Sequence, residues 1–259
     1  SEISLIAKQK TRPPKVSLSD RLLLFLIWVK NNPSFKFLEV VTSLPEKTCR
    51  RYCLKMLDTL TSMADINMGT FEERKDSAVT FRNALVTMVV DGSEQQCSAP
   101  IERGNSEMFY SGKKGKHTIT KLVVCSPSNG RILWMSQSYQ GSKTDMSMIQ
   151  NNCNHFWTTA DKSEYIMADK GFRGLDTYWS TVCIPITGAT SEIVEFNNEL
   201  SHYRIIIENV FAQIKKWKIT TYTLNLRFND IKEAVVYHDK IWTVVGWLTN
   251  KFHRFGLRV

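Results

Sequence analysis

The sequence has none of the cysteine spacings that zinc modules use. Its six cysteines form no CxxC pair and no Cys/His finger pattern, and protein zinc sites depend on such spacings. We therefore expect reduced, largely buried thiols in an intracellular protein. The cysteines are Cys49, Cys53, Cys97, Cys125, Cys153 and Cys183.

Long apolar runs are missing as well. The run from Leu22 to Val29 has eight residues and lies between Arg21 and Lys30, whereas a helical membrane span needs about 20. No small-residue cleavage pattern follows it. Neither a membrane span nor a signal peptide is therefore predicted.

An excess of acidic residues is also absent. Lys and Arg total 34 against 25 Asp and Glu, giving a formal net charge of +9, which favours polyanionic partners such as nucleic acid. Hydrophobic residues make up 42% of the 259 residues, enough for a sizeable core in one large or two smaller domains. General disorder is therefore not expected.

The first part of the chain combines a basic lead-in with three predicted helices. Residues 1 to 17 are rich in Lys, Arg and Pro and contain few large apolar groups, which is typical of a mobile segment. Between residues 18 and 70, helices are predicted up to Lys30, from Ser34 to Thr42 and from Glu46 to about Met63. A short helix, a tight turn and a further helix form the helix-turn-helix pattern.

The third predicted helix carries basic residues towards its N-terminal side. In a helix-turn-helix, the N-terminal residues of this helix contact bases in the major groove. The basic residues are therefore candidates for DNA binding. A plain three-helix bundle with solvated basic side chains is the alternative. The candidates are Lys47, Arg50, Arg51 and Lys55.

From about residue 85 to residue 250 the pattern changes to strands with intervening helices. This order predicts an α/β domain with a mixed sheet, an antiparallel edge and covering helices. The predicted strands are 84–91, 117–126, 131–139, 165–169 and 182–186, and the predicted helices are 144–152, 198–217 and 231–251.

Three carboxylates stand where a sheet and a helix would hold them fixed. Asp91 ends the apolar run 86–90, Asp169 ends the run 165–168, and Glu208 lies within a long amphipathic helix pattern. Catalytic groups and ligands collect at the carboxyl ends of strands, and three fixed acids are what a two-metal phosphoryl-transfer site needs. Each aspartate could instead begin an Asx turn.

Glu208 shares a helix face with two cations. Arg204, Glu208 and Lys215 are separated by four and seven residues, which places all three within roughly 40° of one another on a helix. This stripe fits a metal ligand with phosphate-binding neighbours. A surface ion-pair ladder, worth only a few tenths of a kcal/mol per pair, is the alternative.

Five segments in order give the sequence a specific resemblance. VVDGSE, GKHTITKLVV, GSKTD, MADKGFRG and RIIIENVFAQIK are similar to the DDE endonuclease domain of PIF/Harbinger transposases, with relatives among bacterial insertion-sequence transposases. The resemblance covers about residues 86 to 250, and the preceding helices resemble the family's helix-turn-helix. It implies a ribonuclease H-like fold and a metal-binding catalytic triad of Asp91, Asp169 and Glu208.

The resemblance also assigns DNA contacts. Arg204, Glu208 and Lys215 reproduce the Arg-x3-Glu-x6-Lys part of a signature of related bacterial transposases, which implies that Arg204 and Lys215 bind DNA. The tyrosine expected three residues before the arginine is Ser201, and Asn209 stands where many members have arginine. These departures affect accessory phosphate contacts rather than the metal site.

Two further features have open interpretations. Gly141, Ser142 and Asp145 match the family's Gly-Ser-x-x-Asp segment, but Asp145 could equally cap the following helix. The basic runs 113–116 and 215–218 could contact backbone phosphate or could be solvated surface.

The resemblance implies a transposase that cleaves and joins DNA at transposon ends with two Mg²⁺ or Mn²⁺ ions. The expected partners are terminal inverted repeats and target DNA, a Myb-like DNA-binding protein and further copies of this chain, with no membrane contact. The expected location is the nucleus. A domesticated, non-cutting DNA-binding protein is the alternative.

Overall fold

A computed structural model describes residues 16–99, 103–156, 161, 163–179, 181–224 and 231–252. All but two residues of the predicted lead-in, 1–17, lie outside this part of the chain. Where the chain is described, no helix is both long and apolar enough to cross a bilayer. Five of the six cysteines are free and buried, as predicted, and the side chain of Cys153 is outside the described part.

Three helices open the described chain close to the predicted positions: α1 (Leu18–Asn31), α2 (Phe35–Thr42) and α3 (Glu46–Met63). The hydroxyls of Ser17 and Ser34 accept hydrogen bonds from the first-turn amides of α1 and α2, which satisfies donors that a helix start leaves free. The helices pack through buried side chains that include Phe25, Trp28, Leu38, Cys53 and Leu57.

A buried ion pair fastens the segment after these helices to the sheet. This segment contains α4 (Phe71–Lys75), and the Arg74 Nε lies 2.7 Å from the Glu164 carboxylate. The Thr87 hydroxyl donates to the same carboxylate at 2.6 Å. Both charged side chains are at most 1% exposed, so their partners must satisfy them.

The sheet is mixed, as predicted. Strands β4, β2, β7 and β8 are successive neighbours; β4 runs antiparallel to β2, whereas β7 is parallel to both β2 and β8. The eight strands of the described chain are β1 (Val79–Phe81), β2 (Ala84–Gln96), β3 (Tyr110–Ser111), β4 (Lys116–Cys125), β5 (Ile132–Met135), β6 (Tyr139–Gln140), β7 (Tyr165–Met167) and β8 (Val182–Cys183).

Helices cover both faces of the sheet because its central strands are apolar on both sides. Val89 belongs to the core cluster that also contains side chains of the N-terminal and late helices, whereas the next residue, Val90, belongs to the cluster on the other face. This three-layer arrangement is that of a ribonuclease H-like fold, as expected. The remaining helices are α5 (Arg103–Phe109), α6 (Asp145–Phe156), α7 (Ser191–Ile214) and α8 (Ile231–Phe252).

Several predicted boundaries are wrong. The predicted strand 131–139 is divided into β5 and β6, and the predicted strand 182–186 ends at Cys183. Strand β2 does not end at Asp91, because β4 pairs with it as far as Gln96 opposite Thr118. Helix α7 begins at Ser191 rather than Asn198, and the Thr190 hydroxyl caps it by accepting from the Ile193 amide at 3.4 Å.

Candidate active site

Parallel strands bring Asp91 and Asp169 to the same level of the sheet. Val89 on β2 and Met167 on β7 are register partners. Asp91 lies two residues beyond Val89, and Asp169 lies two residues beyond Met167. Because neighbouring strands are about 4.8 Å apart, the two carboxylates can face a common point.

Arg204 of α7 occupies that point. Its guanidinium lies 3.1 Å from Asp169 Oδ1 and 3.5 Å from Asp91 Oδ2. The arginine side chain is 13% exposed, against 23% for Asp91 and 43% for Asp169. The pair of acids is thus neutralised in part by one largely buried cation, whose Nε has no hydrogen-bond partner among the described groups.

The surroundings of Asp91 disfavour the charged form of its carboxyl group. Burial raises its pKa to about 6, and the charges of Asp145 and Asp169 act in the same direction. The Gly92 amide, which donates to the carboxylate at 2.7 Å, and the Arg204 charge lower the pKa. A crowded, desolvated carboxylate of this kind gains from a nearby cation.

Asp145 is wedged between the backbones that follow the two aspartates. A Cβ on Gly92 would lie 2.8 Å from Asp145 Oδ1, and one on Gly171 would lie 2.9 Å from Oδ2. Only glycine leaves this room, since real Cβ atoms do not approach so closely. Asp145 therefore lies with Asp91 and Asp169, and we call the site formed by these three acids the acidic cleft. Asp145 contacts the chain directly after Asp91 and close after Asp169.

The surroundings of Asp145 resolve its open interpretation. The cap hydrogen bond of α6 is made by Thr144, whose hydroxyl accepts from the Ser147 amide at 3.2 Å. Burial raises the pKa of Asp145, the Lys113 charge lowers it, and Glu94 and Asp169 raise it further. Asp145 thus belongs to the cleft rather than to the helix cap.

The third acid of the predicted triad is not assembled with the other two. Glu208 is exposed on α7, one turn after Arg204. In the described ranges, no three His, Cys, Asp or Glu side chains lie close enough together to hold a metal ion. The structure therefore unites Asp91 and Asp169 but leaves Glu208 facing solvent.

Lys215, just after the end of α7, borders the same cleft. Burial lowers its pKa first, and the facing charge of Lys114 lowers it further, whereas Glu94 and Asp91 raise it. Among the described residues, Glu208 forms no ion pair with Arg204 or Lys215, so the stripe of α7 is not an ion-pair ladder. Arg204 turns towards the carboxylates of the sheet, whereas the Lys215 ammonium lies 5.9 Å from the centre of the Phe211 ring.

The four DNA-binding residues predicted for the helix-turn-helix lie elsewhere, on the exposed side of α3. Helix α3 packs on α8, where Lys240 pairs with Asp58 at 2.6 Å. The basic side chains are solvent-accessible, and no described contact joins them to Asp91 or Asp169. They are Lys47, Arg50, Arg51 and Lys55.

The donor set of the cleft suits a hard divalent cation. Asp91 and Asp169 supply carboxylate oxygens, the ligands that Mg²⁺ and Mn²⁺ prefer. Both carboxylates already converge on one cationic group, the Arg204 guanidinium. The two aspartates therefore fit a metal ion, and Glu208 would have to turn inward to join them.

Comparisons with known proteins show which family the chain resembles. A family model described as DDE superfamily endonuclease matches residues 90–250. A probable transposase for insertion sequence element IS702 from Microchaete diplosiphon is 24% identical over 219 residues, which are 82% of this chain and 75% of that protein. No solved structure matches the chain significantly. All the acids of the cleft lie within the matched residues.

Proposed function

Because the chain belongs to the DDE superfamily of endonucleases, we propose that it is a transposase that cleaves and joins DNA phosphodiester bonds at transposon ends. The observation that carries this proposal is the convergence of Asp91 and Asp169 on one cation-binding point. The basic chain, with a net charge of +9, fits a polyanionic substrate.

In this proposal Asp91, Asp169 and Glu208 hold two Mg²⁺ or Mn²⁺ ions. When bound, such ions polarise the scissile phosphate and favour attack by water or by a DNA 3′-hydroxyl. Asp91 is fixed by the Gly92 amide, and Asp169 lies two residues after the end of β7. Glu208 is exposed on α7, one turn after Arg204.

In the proposed reaction, the Arg204 guanidinium can pair either with the two aspartates or with a DNA phosphate. In the structure its guanidinium neutralises Asp91 and Asp169. If Asp91 and Asp169 held a metal ion, the Arg204 guanidinium would be free to bind a phosphate with two parallel hydrogen bonds. Lys215 borders the same cleft and binds a second phosphate as a point charge.

The three N-terminal helices are proposed to recognise terminal inverted repeats as a helix-turn-helix. Support comes from the exposure of all four candidate residues on α3, namely Lys47, Arg50, Arg51 and Lys55. The PIF/Harbinger type, a Myb-like partner protein, assembly with further copies of the chain and nuclear location are proposals that rest on the sequence resemblance.

Nicking of supercoiled plasmid tests the enzymatic proposal. The wild-type chain should convert supercoiled to open-circular DNA in Mg²⁺ but not in EDTA, and Asp169→Asn should lose this activity while still binding DNA. Equal nicking rates for Asp169→Asn and wild type would exclude the proposed mechanism.

A non-cutting DNA-binding protein is the second candidate. It is favoured by the ion pairs that Arg204 makes with both aspartates. Such a protein would bind DNA with an affinity that falls with salt, and it would nick no plasmid at any Mg²⁺ or Mn²⁺ concentration.

A further inference from the structure

A cavity separate from the acidic cleft opens on the same side of the sheet as α7. Its volume is about 690 Å³, which lies in the range of sites for small ligands. The β1–β2 turn, the strands β7 and β8 and the first half of α7 form its walls. Asp91, Asp169 and Arg204 are not among the residues that line it. The cavity is therefore a second concave site.

Tyr165 of β7 places an aromatic ring in this cavity. Because side chains alternate along a strand, Tyr165 lies on the same face of β7 as Met167, and both pack with the core under α7. Asp169 continues this alternation and contacts Arg204 of α7. The Tyr165 side chain is half-buried, and among the described residues its hydroxyl has no hydrogen-bond partner. The ring is thus available to a ligand on the face that also carries Asp169.

Arg173 supplies a cation to the same cavity. Its side chain is exposed and lines the cavity, and its guanidinium donates to the Thr187 hydroxyl. In the described ranges it forms no ion pair, not even with Asp176, which also lines the cavity. The other arginine of the lining, Arg82, is already paired with Glu199 at 2.8 Å. Arg173 is therefore the cation that remains for an anionic ligand.

The strand and the helix give the same separation between the cavity and the acidic cleft. Tyr165 precedes Asp169 by four residues of extended chain, which span about 13 Å at about 3.3 Å per residue. Phe196, which lines the cavity from α7, precedes Arg204 by eight helical residues, which span about 12 Å. At the spacing of about 3.4 Å between nucleotides of a duplex strand, this separation is about four nucleotides.

An open aromatic ring near an unpaired guanidinium suits a nucleotide. Bases stack on tyrosine rings, and the planar arginine side chain binds phosphate. In an intact duplex the bases are paired and stacked on one another, so a base reaches such a cavity only when its nucleotide is unpaired. Tyr165 and Arg173 therefore fit an unpaired nucleotide rather than a duplex.

The open edge of β8 offers a competing ligand, a peptide strand that would extend the sheet. In the described chain β8 pairs only with β7. However, β8 has two residues, and Pro185 close after them has no amide hydrogen to donate. The Asn197 side chain already binds the Ile186 amide and carbonyl, at 2.9 and 2.8 Å. These features leave little edge for a peptide and favour the nucleotide.

We propose that this cavity binds an unpaired nucleotide of the DNA strand, with its base stacked on Tyr165 and its phosphate at Arg173, about four nucleotides from the bond that is cut. The inference rests on the proposed function, because it assumes that DNA lies in the acidic cleft. Tyr165 and Arg173 position the substrate and contact none of the reacting atoms.

A comparison of paired and mismatched DNA tests the cavity. The probes are two labelled duplexes of the same length and arbitrary sequence, one fully paired and one with a short central run of mismatches, each bound to the full chain in EDTA. Wild type should bind the mismatched duplex about tenfold more tightly, because its bases are already free to stack on Tyr165. Tyr165→Leu and Arg173→Gln should each lower this preference to about twofold or less.

Matched variants separate the cavity from a general loss of fold or charge. Tyr165→Phe keeps the ring and should keep the preference, as should Tyr178→Leu and Arg131→Gln, which change an exposed tyrosine and an exposed arginine outside the cavity. Arg173 is exposed, so Arg173→Gln should fold even if Tyr165→Leu does not, and urea unfolding checks both.

Abasic residues in the mismatched run remove the bases and should abolish the preference of wild type. A preference that persists with abasic residues, or that both Tyr165→Leu and Arg173→Gln retain, would overturn the nucleotide site. Equal affinities of wild type for the paired and mismatched duplexes would also overturn it, and they are the result that a peptide ligand at β8 predicts.

Nicking assays on the same proteins distinguish the nucleotide site from the proposed function. If wild type shows no preference for mismatched DNA but nicks plasmid in Mg²⁺, the nucleotide site is wrong and the function stands. If the preference depends on Tyr165 and Arg173 as expected but Asp169→Asn nicks as fast as wild type, the nucleotide site stands and the proposed mechanism is wrong.

Discussion

Arg204 of α7 donates a hydrogen bond to the Asp169 carboxylate at 3.1 Å. An ion pair thus joins the helix to the sheet within the cleft. The same guanidinium reaches Asp91 at 3.5 Å. Removing it leaves two carboxylates facing each other without a cation, which is unfavourable at this level of burial.

Arg204→Ala should lower the free energy of unfolding by about 1 to 2 kcal/mol in EDTA, because both acids lose their partner. Mg²⁺ should restore more stability to this variant than to wild type, since the cation replaces the guanidinium. Urea unfolding with and without Mg²⁺ measures both effects. Lys216→Ala, an exposed cation near the end of the same helix, is the control and should change neither quantity. Equal responses of Arg204→Ala and wild type to Mg²⁺ would contradict a cation site at the two aspartates.

Gly171→Ala should impair activity more than stability. The added Cβ would approach Asp145 Oδ2 to 2.9 Å, so the carboxylate must move, and the loop after Asp169 moves with it. We expect a loss of nicking rate of at least about tenfold, since small displacements in active sites cost about that much, with a stability loss of about 1 kcal/mol.

Gly112→Ala provides the matched control for that substitution. A Cβ at Gly112 meets nothing within 4 Å, so this variant should nick plasmid at the wild-type rate. A Gly171→Ala enzyme as active as Gly112→Ala would show that the position of Asp145 has no influence on the reaction.

His238 should make the protein less stable in mild acid. It is fully buried, and burial lowers its pKa well below the usual value, with the nearby Lys121 acting in the same direction. Its ring bonds to the Ser138 hydroxyl at 2.7 Å, and Lys121 pairs with Asp239 at 2.6 Å.

The sign of this effect follows from proton binding. Below about pH 6.5 the unfolded chain binds a proton at this histidine, whereas the folded chain does not, so stability falls as the pH falls. The loss from this group should be about 1 kcal/mol by about pH 5.5. His238→Gln should show a correspondingly flatter pH dependence in urea unfolding than wild type, whereas exposed His202→Gln should not. The same pH dependence in all three proteins would refute the assignment.

Glu164→Gln should destabilise the protein by about 3 to 5 kcal/mol, because the fully buried Arg74 would lose its counter-charge. Lys75→Ala breaks an ion pair with Glu72 in which both side chains are more than half exposed, and it should change stability by less than about 1 kcal/mol. Thermal or urea unfolding measures both variants. Similar losses for the two would mean that the buried pair does not anchor the segment.

Asp91 and Asp169 could be predicted because each follows a short apolar strand, and such strands are recognised from their own residues. The continuation of β2 could not. Its residues from Gly92 to Gln96 are polar or glycine, and they form a strand because β4 supplies the hydrogen-bonding partner. Pairing between distant segments does not register in a local pattern.

The positions of Asp145 and Glu208 depended on packing. Helical periodicity correctly placed Glu208 near Arg204 and Lys215, but it does not determine how far a helix is rotated against a sheet. For Asp145, the signals were Gly92 and Gly171, the small residues close after each aspartate. The sequence does not show why these positions are glycine. The structure does, because the Asp145 side chain fills the space that they leave.

The buried Arg74–Glu164 pair also sets a minimum length for a fragment of this chain that folds by itself. The match to the family model begins at residue 90, after Arg74 and after every β2 residue that pairs with β7. A protein cut at that point would enclose a carboxylate without a counter-ion and would lose the parallel pairing that aligns Asp91 with Asp169. The segment that the family model matches is therefore shorter than the unit that folds.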